Sequence, residues 1–144
     1  MLDTSVVKQN DLDFHGSTAC GAESGTLLLQ TVYPVYGDEF LERMNVIRNY
    51  SAISEDYSTG EPKYYMSGTQ IANSVNKYAE ENNLSGVKIS NCRSDKSVCE
   101  TLTTLISSGR PVVLEVCYYG GEITKNFMGY SHWVCLLYTS DAAD

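Results

Sequence analysis

The sequence predicts an α+β fold, with helices first and an antiparallel sheet after them. Three observations carry this. Apolar residues recur at helical spacing in four separate segments between Cys20 and Gly109. Pro111-Val112-Val113-Leu114-Glu115-Val116-Cys117-Tyr118-Tyr119 is the best strand in the chain. It is rich in branched and aromatic residues and opens with proline, where a strand tolerates it. After the break at Gly129, His132-Trp133-Val134 begins another strand.

In chain order, Val6 to Gln9 forms a short edge strand or an extended arm, and Asn10 to Ala19 is a polar loop containing Gly16. A helix is expected from Cys20 to about Thr31, buried on much of its circumference through Leu27, Leu28 and Leu29. Tyr33-Pro34 ends it, because the residue before proline is pushed out of the α region. Asp38 is the expected N-cap of a second helix over Glu39 to Arg48, with Phe40, Leu41, Met44 and Ile47 on one face. Tyr50 to Tyr65 reads as a long loop, either a binding surface or a plain insertion. Ser67 and Gln70 form a capping-box pattern for a third helix to about Asn82, with Ile71, Val75, Tyr78 and Ala79 inward. Leu84-Ser85-Gly86 stops it, and Val87 to Ile89 reads as a short strand. Ser94 or Asp95 caps a fourth helix with Val98, Leu102, Leu105 and Ile106 inward, closed by Gly109 at its C′ position. A strand or loop over Glu122 to Phe127 follows the Gly120-Gly121 turn.

The chain has 144 residues, 42% of them hydrophobic, which suits one domain with its own core. A net charge of −8 argues against a nucleic-acid partner and gives no reason to expect an anionic membrane surface. No apolar run reaches membrane-spanning length, and the first residues lack the basic-then-apolar pattern of a signal peptide. If the chain is a fragment, that pattern says nothing about export. Five cysteines occur without any C-x-x-C, which excludes zinc-ribbon and thioredoxin readings, and neither a metal nor a cofactor is expected. Cys92 and Cys99 are either a disulfide, in an exported protein, or two separate thiols.

The last ten residues, Cys135 to Asp144, resemble the translation of a transposase adapter used in DNA sequencing. The rival reading is a natural strand, Trp133 to Tyr138, followed by a polar turn. On the adapter reading the native domain covers residues 1–134 and 135–144 is a foreign tail. The native part then has 16 acids against 10 bases and four cysteines.

The chemistry centres on Thr18-Ala19-Cys20-Gly21-Ala22-Glu23-Ser24, where a polar, small-residue stretch breaks into the first helix. A thiol at the positive end of a helix dipole is favoured as thiolate, although a structural cysteine could occupy the same place. Such a nucleophile needs a base, and only His15 and His132 supply imidazole. His132 enters a strand, which is a rigid support. His15 lies in the loop five positions before Cys20 and would be held loosely.

Gln9, Cys20-Gly21, Gly109-Arg110-Pro111-Val112-Val113-Leu114 and Ser131-His132-Trp133-Val134, in that order, resemble the peptidase C39-like family. The resemblance covers nearly all of Val6 to Val134. It implies a papain-like fold and a bacterial cysteine peptidase, secreted or at the cell surface, acting on a peptide or protein substrate. It further implies Cys20 as nucleophile, His132 as general base and acid, and Gln9 as a side-chain oxyanion donor beside the Cys20 backbone N–H. Such donors are worth on the order of 3 kcal/mol. The family's third residue, an Asp or Asn orienting the histidine, follows the histidine strand, and Asp141 is not assigned that role. Two departures are Ala22, where the family often has proline, and the long gap between Gln9 and Cys20. Other readings on the same fold are a peptidoglycan amidase and a catalytically silent binding module. Cys92, Cys99 and Cys117 are read as structural, and Trp133 as a cover over the histidine or a core residue. The tyrosines Tyr50, Tyr57, Tyr64, Tyr65, Tyr118 and Tyr119 line the cleft or an ordinary surface.

Overall fold

The structure, a computed structural model, describes residues 19–51, 54–56, 63–92, 97–118 and 130–136. Among the described residues, four helices and four strands follow one another as α1 (Cys20–Gln30), α2 (Asp38–Asn49), β1 (Ser54–Asp56), β2 (Lys63–Tyr65), α3 (Gly68–Glu81), α4 (Val98–Ser107), β3 (Val112–Tyr118) and β4 (Tyr130–Leu136). The mixed α+β class expected from the sequence holds. The expected edge strand at Val6–Gln9, the cap at Ser94 or Asp95 and the segment Glu122–Phe127 lie outside the described residues.

The core forms where α1, α2 and α3 meet. Ala22, Leu29, Phe40, Met44, Ile47, Ile71 and Val75 are buried there. These include the faces that helical spacing selects on α2 and α3. Helix α1 is buried on most sides, and two glycines make its close packing possible. A Cβ on Gly21 would lie 2.9 Å from Met66 Cβ, and one on Gly25 would lie 2.9 Å from Val75 Cγ2 and 3.2 Å from Ile71 Cγ2. Arg43 on α2 is also buried. Its guanidinium donates to the Tyr33 carbonyl at 2.6 Å and lies over the Tyr78 ring at 5.5 Å.

Helix ends follow local chemistry, with some corrections. Asp38 is the first residue of α2 and not its cap. Gly37 occupies the cap at φ +55°, a conformation that favours glycine, and Asp38 and Glu39 instead place their charges in the first turn. Helix α3 has the expected reciprocal cap, with Ser67 Oγ accepting from Gln70 N at 3.2 Å and Gln70 Oε1 accepting from Ser67 N at 2.7 Å. Helix α4 begins later than expected because Ser97 and Glu100 form a second capping box. It ends as expected, with Gly109 at φ +72°. The Gly109 N–H donates to Ile106 O and the Arg110 N–H donates to Leu105 O, a Schellman closure.

Two further expectations fail. The Tyr50–Tyr65 stretch is not all loop, because Ser54–Asp56 pairs antiparallel with Lys63–Tyr65. Val87–Ile89 is not a strand. Ile89 bonds instead to the side-chain amide of Asn76, which donates to Ile89 O at 2.7 Å and accepts from Ile89 N at 2.8 Å. One amide side chain thus satisfies the backbone groups that a ladder neighbour would otherwise serve.

The apolar face of α4 is the largest departure. Val98, Leu102, Leu105 and Ile106 are expected inward, yet none is fully buried: Leu102, Leu105 and Ile106 are half-buried and Val98 is 63% exposed. Val98, Leu102 and Leu105 instead line a groove of about 830 Å³, walled also by Leu28, Ile71, Ile89 and Val112. β3 and β4 pair antiparallel from Val112↔Leu136 to Tyr118↔Tyr130. Strand β4 therefore continues through Cys135 and Leu136, two residues beyond the expected native boundary at Val134. Among the described residues, no helix is long and apolar enough to cross a membrane.

Gly25→Ala tests the packing of α1. Val75 is fully buried and cannot move aside, so the added methyl should destabilise the fold by about 1–3 kcal/mol, read as a lower urea midpoint at unchanged slope.

Candidate active site

Cys20 is the first residue of α1 and is half-buried. Ala19, in the cap position, offers no side-chain acceptor, and the first intrahelical bond runs from Glu23 N to Ala19 O at 2.9 Å. The amides of Cys20, Gly21 and Ala22 therefore have no acceptor within the helix. That leaves a positive helix end beside the thiol, with Glu23 the acid in the first turn.

His132 lies in β4 opposite Val116 and is exposed. Strand alternation decides which way it points. Trp133 and Val113 pack on the core, and Cys135, the cross-strand partner of Val113, shares their face. His132 and Val134 project to the other face. Helix α1 lies against β4, so the two elements carrying the expected pair are neighbours. The side chains are not joined: among the described residues, no hydrogen bond links Cys20 to His132. Gln9, His15 and Asp141 lie outside the described residues, as do Tyr57 and Tyr119.

What links these elements is Trp133. Its indole N–H donates to Met66 O at 2.8 Å, and its ring tip would lie 3.2 Å from a Cβ on Gly68. Met66 in turn packs on Gly21, next to Cys20. Reading the sequence as strand gives Trp133 an inward or outward face, but nothing in it identifies an acceptor 67 positions away.

The other described thiols differ in setting. Cys92 and Cys99 are exposed free thiols, and no disulfide joins them in this structure. Burial pushes the Cys135 thiol up from 9.0 to about 12. Among the described residues no group of histidine, cysteine and carboxylate side chains is arranged to hold a metal. Comparison with known proteins gives no match to a family model, a curated protein or a solved structure.

The environment of Cys135 has a measurable consequence. Its thiol is harder to ionise folded than unfolded, so its contribution to stability is complete below the unfolded value and is lost as pH rises from about 9 towards 12. Between pH 8 and pH 10.5 the wild-type chain should lose more unfolding free energy than Cys135→Ala. At pH 8, iodoacetamide should label Cys20 and leave Cys135 largely unmodified, read peptide by peptide by mass spectrometry.

Proposed function

We propose that this chain is a papain-like cysteine peptidase domain that hydrolyses peptide bonds through Cys20 and His132. The observation that carries the reading is the placement of Cys20 at a helix N-terminus whose cap residue, Ala19, makes no side-chain cap bond, on a helix packed against the strand that holds His132. The C39-like order of motifs supports it.

In this reading His132 takes the Cys20 thiol proton, and the thiolate adds to the substrate carbonyl carbon. The oxyanion that forms is met by the Cys20 N–H at the helix end and by the side-chain amide of Gln9. Collapse of the intermediate breaks the C–N bond as the imidazolium protonates the departing amine, leaving a thioester on Cys20. His132 then deprotonates a water that attacks the thioester. The acid product leaves, and the thiolate recovers its proton. An Asp or Asn orienting His132 would raise the rate further.

One observation favours a second reading, a silent binding module on the same fold. His132 is exposed and projects from the face opposite Trp133, with no bond to Cys20.

A substrate-independent measurement separates the two. A peptidase should show iodoacetamide alkylation of Cys20 at pH 6 well above the rate of a free cysteine, and His132→Ala should abolish that excess. A rate no greater than that of a free cysteine rejects the peptidase. With a peptide mixture read by mass spectrometry, Cys20→Ala should abolish cleavage and His132→Ala should cost nearly as much. Gln9→Ala should lower kcat by about a hundredfold. Full activity in Cys20→Ala would show the site assignment to be wrong.

A further inference from the structure

We infer that Trp133 is a positioning residue for the Cys20–His132 pair, and that it acts by fixing β4 against the first turn of α1. This rests on the peptidase reading above. The indole is held at two points. Its N–H donates to Met66 O at 2.8 Å, and its Cη2 edge lies so close to Gly68 that a Cβ there would sit 3.2 Å away. Both points belong to the start of α3, where the Ser67–Gln70 capping box makes the backbone rigid. Met66 is itself pressed onto Gly21, where an added Cβ would be 2.9 Å from Met66 Cβ, and Gly21 follows Cys20 directly. A short chain of contacts therefore runs from the thiol-bearing turn, through Met66, to the indole, and His132 is the next residue along the strand.

This arrangement does more than bury an aromatic ring. A phenyl ring would fill most of the same space. Only an indole N–H meets the Met66 carbonyl, which lies just before the helix and takes part in no helical bond of its own. The residue before Trp133 carries the imidazole, so the indole bond, by fixing how β4 is rotated about its axis, also fixes where the His132 side chain leaves the strand. Glu115 lies across the ladder from Trp133, and Glu23 lies in the first turn of α1. They stay the same in the variants below.

The test follows iodoacetamide alkylation of Cys20 in the full chain as a function of pH, resolved on the Cys20 peptide by mass spectrometry, with the melting temperature measured in parallel. In the wild type the midpoint should lie below that of a free cysteine, and His132→Ala should move it up. Trp133→Phe should move it up by about one pH unit, an acid-side rate loss of about tenfold. His132→Ala added to Trp133→Phe should then move it little further, because both changes break one unit. A lower melting temperature with the midpoint unchanged would mean that Trp133 is only a packing residue, and would overturn the inference while leaving the peptidase reading intact. A wild-type midpoint equal to that of a free cysteine would overturn both. If Trp133→Phe does not fold, Gly68→Ala keeps the indole and crowds its edge. It should move the midpoint in the same direction, and an unmoved midpoint there overturns the inference.

Discussion

At Gly21 and Gly25, helix α1 comes closer to α3 than any side chain would allow. A Cβ at either position would lie 2.9 Å from a heavy atom of Met66 or Val75. The two glycines are four positions apart, so they form one stripe on one face of the helix. Into that stripe press Met66, Ile71 and Val75, and on the other sides of α1 lie α2 and β4. The rest of the described structure depends on this approach. It lets one eleven-residue helix touch α2, α3, β3 and β4 at once, and it sets the Cys20 turn against the start of α3, where the indole of Trp133 is anchored.

Where the chain leaves this core, side-chain amides take over from regular structure. Gln30 brackets Val35, donating to its carbonyl at 2.7 Å and accepting from its N–H at 3.1 Å. Asn76 does the same for Ile89. Each amide offers a donor and an acceptor in one plane and so can stand in for a backbone neighbour. This explains why Val87–Ile89 has strand composition without being a strand: its hydrogen bonds go to a helix. Periodicity and capping are properties of adjacent residues, which is why the Ser67 box, the Gly109 stop and the inward faces of α2 and α3 were legible. The start of α4 was legible only in part, since Ser94, Asp95 and Ser97 all suit a cap and the box to Glu100 selects Ser97. The partial cover of the apolar face of α4, with Val98 left exposed, was not legible. Periodicity shows which face is apolar, not whether a partner covers it.

The candidate site divides in the same way. Cys20 at a helix start and His132 on a strand were both visible, because a break into an apolar helical run and a branched, aromatic stretch are local signals. Their mutual geometry was not visible, since it depends on which face of β4 turns inward. Burial decides that, and it chooses Trp133, whose ring packs on Met66 and Gly68. A one-residue shift in the strand would have exchanged the faces. The sequence reading of Trp133 as a core residue or cover therefore carried an implication for its neighbour that composition alone does not reveal.

That implication limits how a Cys–His pair can form here. With Trp133 held inward, the His132 ring starts from the outer face and can reach the α1 end only by passing around an edge of β4. One edge is occupied by β3 along the whole register from Val112↔Leu136 to Tyr118↔Tyr130. Among the described residues the other edge has no ladder partner. The two-stranded ribbon also twists more strongly than a wide sheet. His132 is the third residue of β4, close to the start of the strand. In the peptidase reading, the route from imidazole to thiol would run over the free edge of β4, and its length would depend on how far the strand is rotated. The indole bond to Met66 is the contact proposed to hold that rotation fixed, and the geometry of the pair would then depend on a contact that neither member makes.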